Sequence, residues 1–264
     1  MVLRDELNSY LAELYRFENF EDYCENGLQV EGKEQIEKIV FAVSFNLHLV
    51  EKAIEQKADA IIVHHGIFGK GLFVLTGHKK KKIKMLLEHE ISLFGIHLPM
   101  DAHPRLGHNA LLLAALGAAS IEPFGIGFTG ENVKKYSLNR ILEIFHEQLH
   151  DRNFEEKEIK NGIFSFFKRK GFAVLNNGPE IPGRIALISG AASDLYEKAV
   201  ENGADTFICG DIKEHIPALS YETGTNFINL GHYYSEKPGV LELMKHIREN
   251  FAVETEYVEI PNPV

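Results

Sequence analysis

The chain has 264 residues, 45% hydrophobic and 25% charged, with a formal net charge of −10. Those proportions fit a globular protein of one large or two medium domains, and no stretch approaches the roughly 20 apolar residues of a membrane span. The acidic field opposes sequence-independent binding to nucleic acid and suits a cleft that gathers cations.

Leu3, Leu7, Leu11 and Leu14 recur at helical spacing, so residues 3–17 form an amphipathic helix. This start is charged and lacks the apolar run of a secretory signal. Residues 39–43 are an apolar strand, 47–57 a helix, and 60–63 a second buried strand ending at His64-His65-Gly66. The run HKKKKIK over 78–84 reads as a solvated helix face, with a phosphate-facing patch as the alternative. Residues 83–90 are helical, 93–96 a strand, and 109–116 a helix closed by Gly117. Ser137 caps a helix over 138–149. Residues 164–167 and 172–175 are strands separated by a basic turn. A strand (185–188), a helix (194–201), two strands (206–209 and 227–230) and a C-terminal helix (240–248) complete the chain. The two cysteines, Cys24 and Cys209, are too few for a disulfide framework and point to a reducing compartment, the cytoplasm.

The rhythm implies an α/β fold, with mostly parallel or mixed sheets flanked by helices. It also repeats. Residues 40–65 (VFAVSFNLHLVEKAIEQKADAIIVHH) align without gaps on 186–211 (ALISGAASDLYEKAVENGADTFICGD). A second pairing matches His97-x-x-x-Asp101 with His232-x-x-x-Glu236, each directly after a predicted strand. We expect two pseudo-duplicated lobes, residues 1–123 with 228–264 and residues 124–227. Ligands gather beyond the carboxyl ends of strands in such sheets, which places the site in the cleft between the lobes.

Two adjacent imidazoles at a strand end are hard to satisfy with hydrogen bonds alone. Successive side chains point to opposite faces, so His64 and His65 reach one site only if the backbone turns, as Gly66 permits. A metal satisfies both rings; a polar loop is the alternative. With Asp101, His232 and Glu236 the donors exceed what one zinc ion takes from protein and suit two divalent ions sharing a carboxylate or water. Imidazole with carboxylate fits Zn, Mn, Fe, Co or Ni. His97 is a sixth ligand, a donor orienting a ligand, or a hydrogen-bonded site residue that moves a proton. His103 and His108 flank the Asp101 loop, and Asp211 and His215 are further cleft candidates without an assigned role. His48, His89, His146, His150 and His246 lie on predicted helices and read as surface side chains. There is no Walker loop, Rossmann fingerprint, nucleophile elbow or CxxC. Residues 189–193 (SGAAS) join a strand to a helix whose N-terminus can hold an anion, or form a plain tight connection.

At these residues the sequence resembles the GTP cyclohydrolase I type 2 homologues, also called the Ngg-interacting factor 3-like proteins. The resemblance runs in blocks through most of the chain: Asn26-Gly27-Leu28-Gln29-Val30, Val63-His64-His65-Gly66, residues 95–104 (GIHLPMDAHP) continued by 107–116, and Gly231-His232-Tyr233-Tyr234-Ser235-Glu236. Ser44 stands where many relatives have an aspartate, and Cys209-Gly210-Asp211 where the family has Thr-Gly-Glu. The resemblance implies two α/β lobes, a dinuclear metal site ligated by His64, His65, Asp101, His232 and Glu236, and a ring-shaped homohexamer. It also implies a metal-dependent hydrolase acting on GTP or a related nucleotide. A non-catalytic metal-binding scaffold, metal carrier or regulatory partner is the alternative, since fold does not fix function.

Overall fold

The computed structural model describes residues 1–67, 74–149, 157–161, 164–169 and 172–262. Part of the expected basic turn before Phe172, and His150, lie outside them. The chain divides into two compact units, residues 1–106 with 239–261 and residues 107–238 with 262–264. The breaks thus fall at 106/107 and 238/239, not at the expected 123/124 and 227/228. The physical reason lies in the cores: Leu112, Leu113 and Leu116 pack with Phe128, and Leu230 with Ile208 and Ile228, all in the second unit.

The first unit comprises β1 (Val2–Leu3), α1 (Arg4–Tyr15), β2 (Gly27–Val30), β3 (Gln35–Ile36), β4 (Lys38–Ser44), α2 (Leu47–Glu55), β5 (Ala60–His65), α3 (Gly77–Glu88), β6 (Ser92–Gly95), α4 (Leu98–Ala102), most of α10 (Lys237–Asn250) and β15 (Glu254–Tyr257). Its main sheet has the order β15-β4-β5-β6-β2. Only β2 runs antiparallel. Alternate residues fill two cores because both faces are covered. Ile39, Phe41, Ile62 and Phe94 face α1 and α10, whereas Val40, Ala42, Ile61 and Val63 face α2 and α3. That is why β4 and β5 read as unbroken apolar runs.

The second unit comprises α5 (His108–Ala115), β7 (Ala119–Phe124), β8 (Gly127–Glu131), α6 (Leu138–Leu149), β9 (Lys157–Asn161), β10 (Phe164–Arg169), β11 (Phe172–Asn176), β12 (Arg184–Leu187), α7 (Tyr196–Glu201), β13 (Thr206–Cys209), α8 (Ile216–Thr223), β14 (Asn226–Asn229) and α9 (His232–Ser235). Its sheet runs β7-β8-β12-β13-β14-β11-β10-β9 and is parallel only through β12-β13-β14. The mixed α/β expectation holds. Ile185, Leu187 and Ile208 pack beneath α5 and α6, while Ala186, Phe207 and Cys209 join the opposite core with Tyr196 and Ile216. Among the described residues no helix is long and apolar enough to cross a membrane.

Candidate metal centre

In the first unit the carboxyl ends of β5 and β6 deliver four side chains. His64 and His65 end β5, His97 follows β6 by two residues, and Asp101 sits on α4. His64, His97 and Asp101 are buried and His65 is half-buried. The ring centroids of His64 and His65 are 4.5 Å apart, and those of His64 and His97 5.0 Å. The three rings each offer a nitrogen, all within 4.8 Å of one another. His64 Nε2 lies 3.7 Å from Asp101 Oδ2. Two ligands of one ion at ~2.1 Å stand roughly 3–4 Å apart, so this spacing fits a shared metal.

The tautomers follow from the acceptors behind the rings. His64 Nδ1 lies 2.9 Å from the Ile96 carbonyl, which only accepts, so Nδ1 carries the proton and Nε2 keeps its lone pair. His97 Nδ1 lies 2.9 Å from Asp22 Oδ1. Burial would raise the Asp22 pKa, but His97, the Cys24 amide and Asn26 more than offset this and hold it ionised, so His97 Nδ1 also donates. Burial pushes His97 down to about 4, with His64 adding to the effect and Asp22 opposing it. His97 is therefore neutral with Nε2 as the open electron pair, the state a metal ligand or proton acceptor needs, and His64, with Nδ1 on the Ile96 carbonyl, likewise presents Nε2. His65 Nδ1 is 3.0 Å from Ser44 Oγ, across the last register pair of β4 and β5.

Sequence reasoning missed the residues that hold these rings. Asp22 Oδ2 also accepts from the Leu98 amide at the start of α4, so one carboxylate orients His97 and the helix carrying Asp101. Asn26 Oδ1 accepts from His97 N at 2.8 Å. Asp22 lies in an irregular, aperiodic segment 75 residues from its partner, so no local signal marks it. Asn26 and Gln29 belong to the motif already singled out, and only the structure shows what the motif does. Gln29 Oε1 accepts from Ile67 N, and its Nε2 donates to the carbonyls of Glu25 and Ile67. A Cβ at Gly66 would overlap the Gln29 amide, and one at Gly95 would come within 2.7 Å of it. Gly66 thus serves at least by its small volume, which leaves room for the Gln29 amide.

The second unit presents His232 and Glu236, with His232 Nε2 3.1 Å from Glu236 Oε1. Glu236 is buried and the His232 side chain one-third exposed. Gly231 (φ 83) starts α9 after β14. Two glycines make the room. A Cβ at Gly190 (φ 68) would overlap Glu236 Oε1, and one at Gly210 would lie 2.7 Å from Ser235 Oγ. Backbone bonds stitch the loops: Gly210 N donates to Gly190 O, and Gly190 N to Ser235 Oγ.

Asp211, beyond β13, faces the neighbouring loop that follows β12. It accepts from the amides of Ala192 and Ser193, both at 2.8 Å, and from Ser193 Oγ. The anion expected at the helix N-terminus after residue 189 is thus the chain's own carboxylate. His215 is exposed at the N-cap of α8. His103 Nδ1 accepts from the Arg105 and Leu106 amides, a structural role. His108 is buried in the first turn of α5. Tyr10 hydroxyl bonds His246, while His48 is exposed as expected. Burial raises the thiol pKa of Cys209 well above its ordinary value and that of Cys24 to about 11, so neither is an activated nucleophile.

A family model described as Duf34/NIF3 (NGG1p interacting factor 3) matches residues 2–263. The chain is 37% identical, over the full length of both, to a Neisseria meningitidis serogroup A protein named "GTP cyclohydrolase 1 type 2 homolog". An Escherichia coli K12 protein of the same name is 35% identical over 262 residues, with 98% of each chain covered. A solved structure from Thermus thermophilus superposes over 100% of both chains with a TM-score of 0.86 at 28% identity.

Proposed function

This chain belongs to the Duf34/NIF3 (NGG1p interacting factor 3) family, and on that premise we propose that it is a metal-dependent hydrolase of nucleotides or related small molecules. Two divalent ions per chain would have His64, His65, Asp101, His232 and Glu236 as their ligands. The observation that carries this reading is the fixed orientation of the buried rings. Ile96 O and the Asp22 carboxylate each engage Nδ1, so Nε2 is the ligating nitrogen that His64 and His97 present, and the donor set of imidazole and carboxylate is that of divalent transition metals.

When bound, the ions lower the pKa of water to near neutrality and stabilise developing negative charge. The chain's own residues do the rest. Asp22 holds His97 in one tautomer, so the ring accepts a proton at Nε2 and returns it to the leaving group. Asp101 rides on a helix whose first amide Asp22 anchors, so ligand and proton carrier move together. The relatives' name suggests GTP or a similar nucleotide as substrate. The family resemblance adds a ring-shaped homohexamer, and the two free cysteines fit a cytoplasmic protein.

Metal analysis of protein purified without chelator is expected to find about two ions per chain, and His64→Ala with Glu236→Ala to remove most of them. Full metal content in the double variant rules out the ligand assignment. Hydrolysis of a nucleotide panel is expected to stop with chelator and return with Mn or Zn. Metal retention without turnover of any nucleotide or phosphoester rules out the hydrolase and leaves a binding protein.

A further inference from the structure

The proposed reaction leaves unused a cavity of about 560 Å³ in the first unit, a volume in the range of small-molecule sites. Its walls are the last turns of α1, the 3-10 turn Phe17–Asn19 and the segment around α4. Its charged lining is Arg16, Arg105 and Glu13. Neither guanidinium has an ion pair among the described residues. In a chain with 38 acidic and 28 basic residues, this is a local reversal of sign.

Two features show that the wall is built. Arg16 ends α1 at φ 51, ψ 56, a left-handed position that glycine or asparagine takes with less strain. Lys57, Glu90, Ser120 and Lys135 share this conformation, so Arg16 counts here as the helix end that brings its side chain to the cavity wall. The loop carrying Arg105 is also anchored. The His103 ring accepts the Arg105 and Leu106 amides and bonds the Leu14 backbone in the last turn of α1. Buried Tyr15 stacks edge-on against that ring at 5.1 Å, and its hydroxyl has no hydrogen-bond partner among the described residues.

We propose that this cavity binds a phosphorylated sugar, free or as a nucleoside monophosphate. Arg16 and Arg105 take the phosphate, since guanidinium groups match its oxygens in paired hydrogen bonds. Glu13 accepts from sugar hydroxyls, and the Asn19 amide serves either group. Tyr10 and Phe20 supply the apolar wall on which a ring or the sugar face rests. None of the proposed metal ligands lines the cavity, so this site stands independently of the proposed reaction.

The chain has no tryptophan, so Phe20→Trp places a single indole reporter in the cavity wall. Fluorescence of the metal-loaded full chain is titrated with adenosine 5′-monophosphate, ribose 5-phosphate, adenosine and ribose. The two phosphates are expected to give a saturable change below ~1 mM, and the nucleoside and sugar without phosphate none. The stronger of the two phosphates identifies the free or nucleotide form. Arg16→Gly relieves the left-handed backbone, so it keeps the fold and thermal stability while weakening both phosphates at least about tenfold. Arg105→Ala is expected to do the same. Binding undiminished in Arg16→Gly, equal response to adenosine, or no response to either phosphate overturns the proposal.

Discussion

Residues 40–65 and 186–211 build the same strand–helix–strand unit, with β4 parallel to β5 and β12 parallel to β13, yet the strand ends are used in opposite ways. In the first copy the strand end carries candidate metal ligands: His64 and His65 project from β5, and Ser44 of β4 bonds the second ring. In the second copy the aligned positions are Gly210, Asp211 and Gly190. The glycines withdraw side chains, and the vacated volume receives Glu236 and the His232 loop from the end of the next strand. Asp211 braces the neighbouring loop that follows β12. A duplicated frame thus supplies donors either by growing them at one strand end or by clearing space there for donors from another.

The contrast predicts asymmetric responses to small substitutions. The largest belongs to Gly190→Ala, which adds a Cβ onto Glu236 Oε1 at a left-handed φ. It should cost about 3 kcal/mol by thermal denaturation and lower metal content. An unaffected metal content would mean that the cleared space does not serve Glu236. Next, His97→Ala should lower turnover by about a hundredfold with metal retained. Asp22→Asn, which removes the charge and leaves one accepting oxygen where the His97 ring and the Leu98 amide now use two, should lower it about tenfold or more. Equal turnover in Asp22→Asn and the parent would sever His97 from its anchor. Asp211→Ala should cost about 2 kcal/mol of stability while metal content stays constant. Metal loss there would make Asp211 a donor and erase the difference between the two copies. The smallest effect is expected for Ser44→Ala, below about 1 kcal/mol with metal retained, because His65 is half-buried and water can replace the hydroxyl.

What the sequence made legible follows from local physics. The apolar runs of β4, β5, β12 and β13 stand out because both faces of each sheet are covered, and α6 spans Leu138–Leu149 with Ser137 Oγ accepting from the Arg140 amide, as its pattern predicts. The paired histidines are conspicuous because polar groups seldom follow such runs. Less legible are β7 and β8, whose alternation is broken by a register shift and by glycines. The edge strand β2 was readable as a motif but not as a strand, since its partner β6 lies more than sixty residues away. Asp22 and Asp211 share one difficulty. A carboxylate's role depends on which amides reach it, and that is decided by tertiary contacts across 76 and 19 residues.

Gln29 has an evolutionary consequence. Its amide fills the space that side chains at Gly66 and Gly95 would occupy, and it ties the backbone beyond β5 to that near β2. A side chain at either glycine displaces the glutamine amide from its backbone partners, and shortening the glutamine leaves the Ile67 amide without this acceptor. The three positions therefore form one epistatic unit. A change at any one of them alters the hydrogen bonds or the space of the other two, so substitutions there are expected to be tolerated best in compensated pairs.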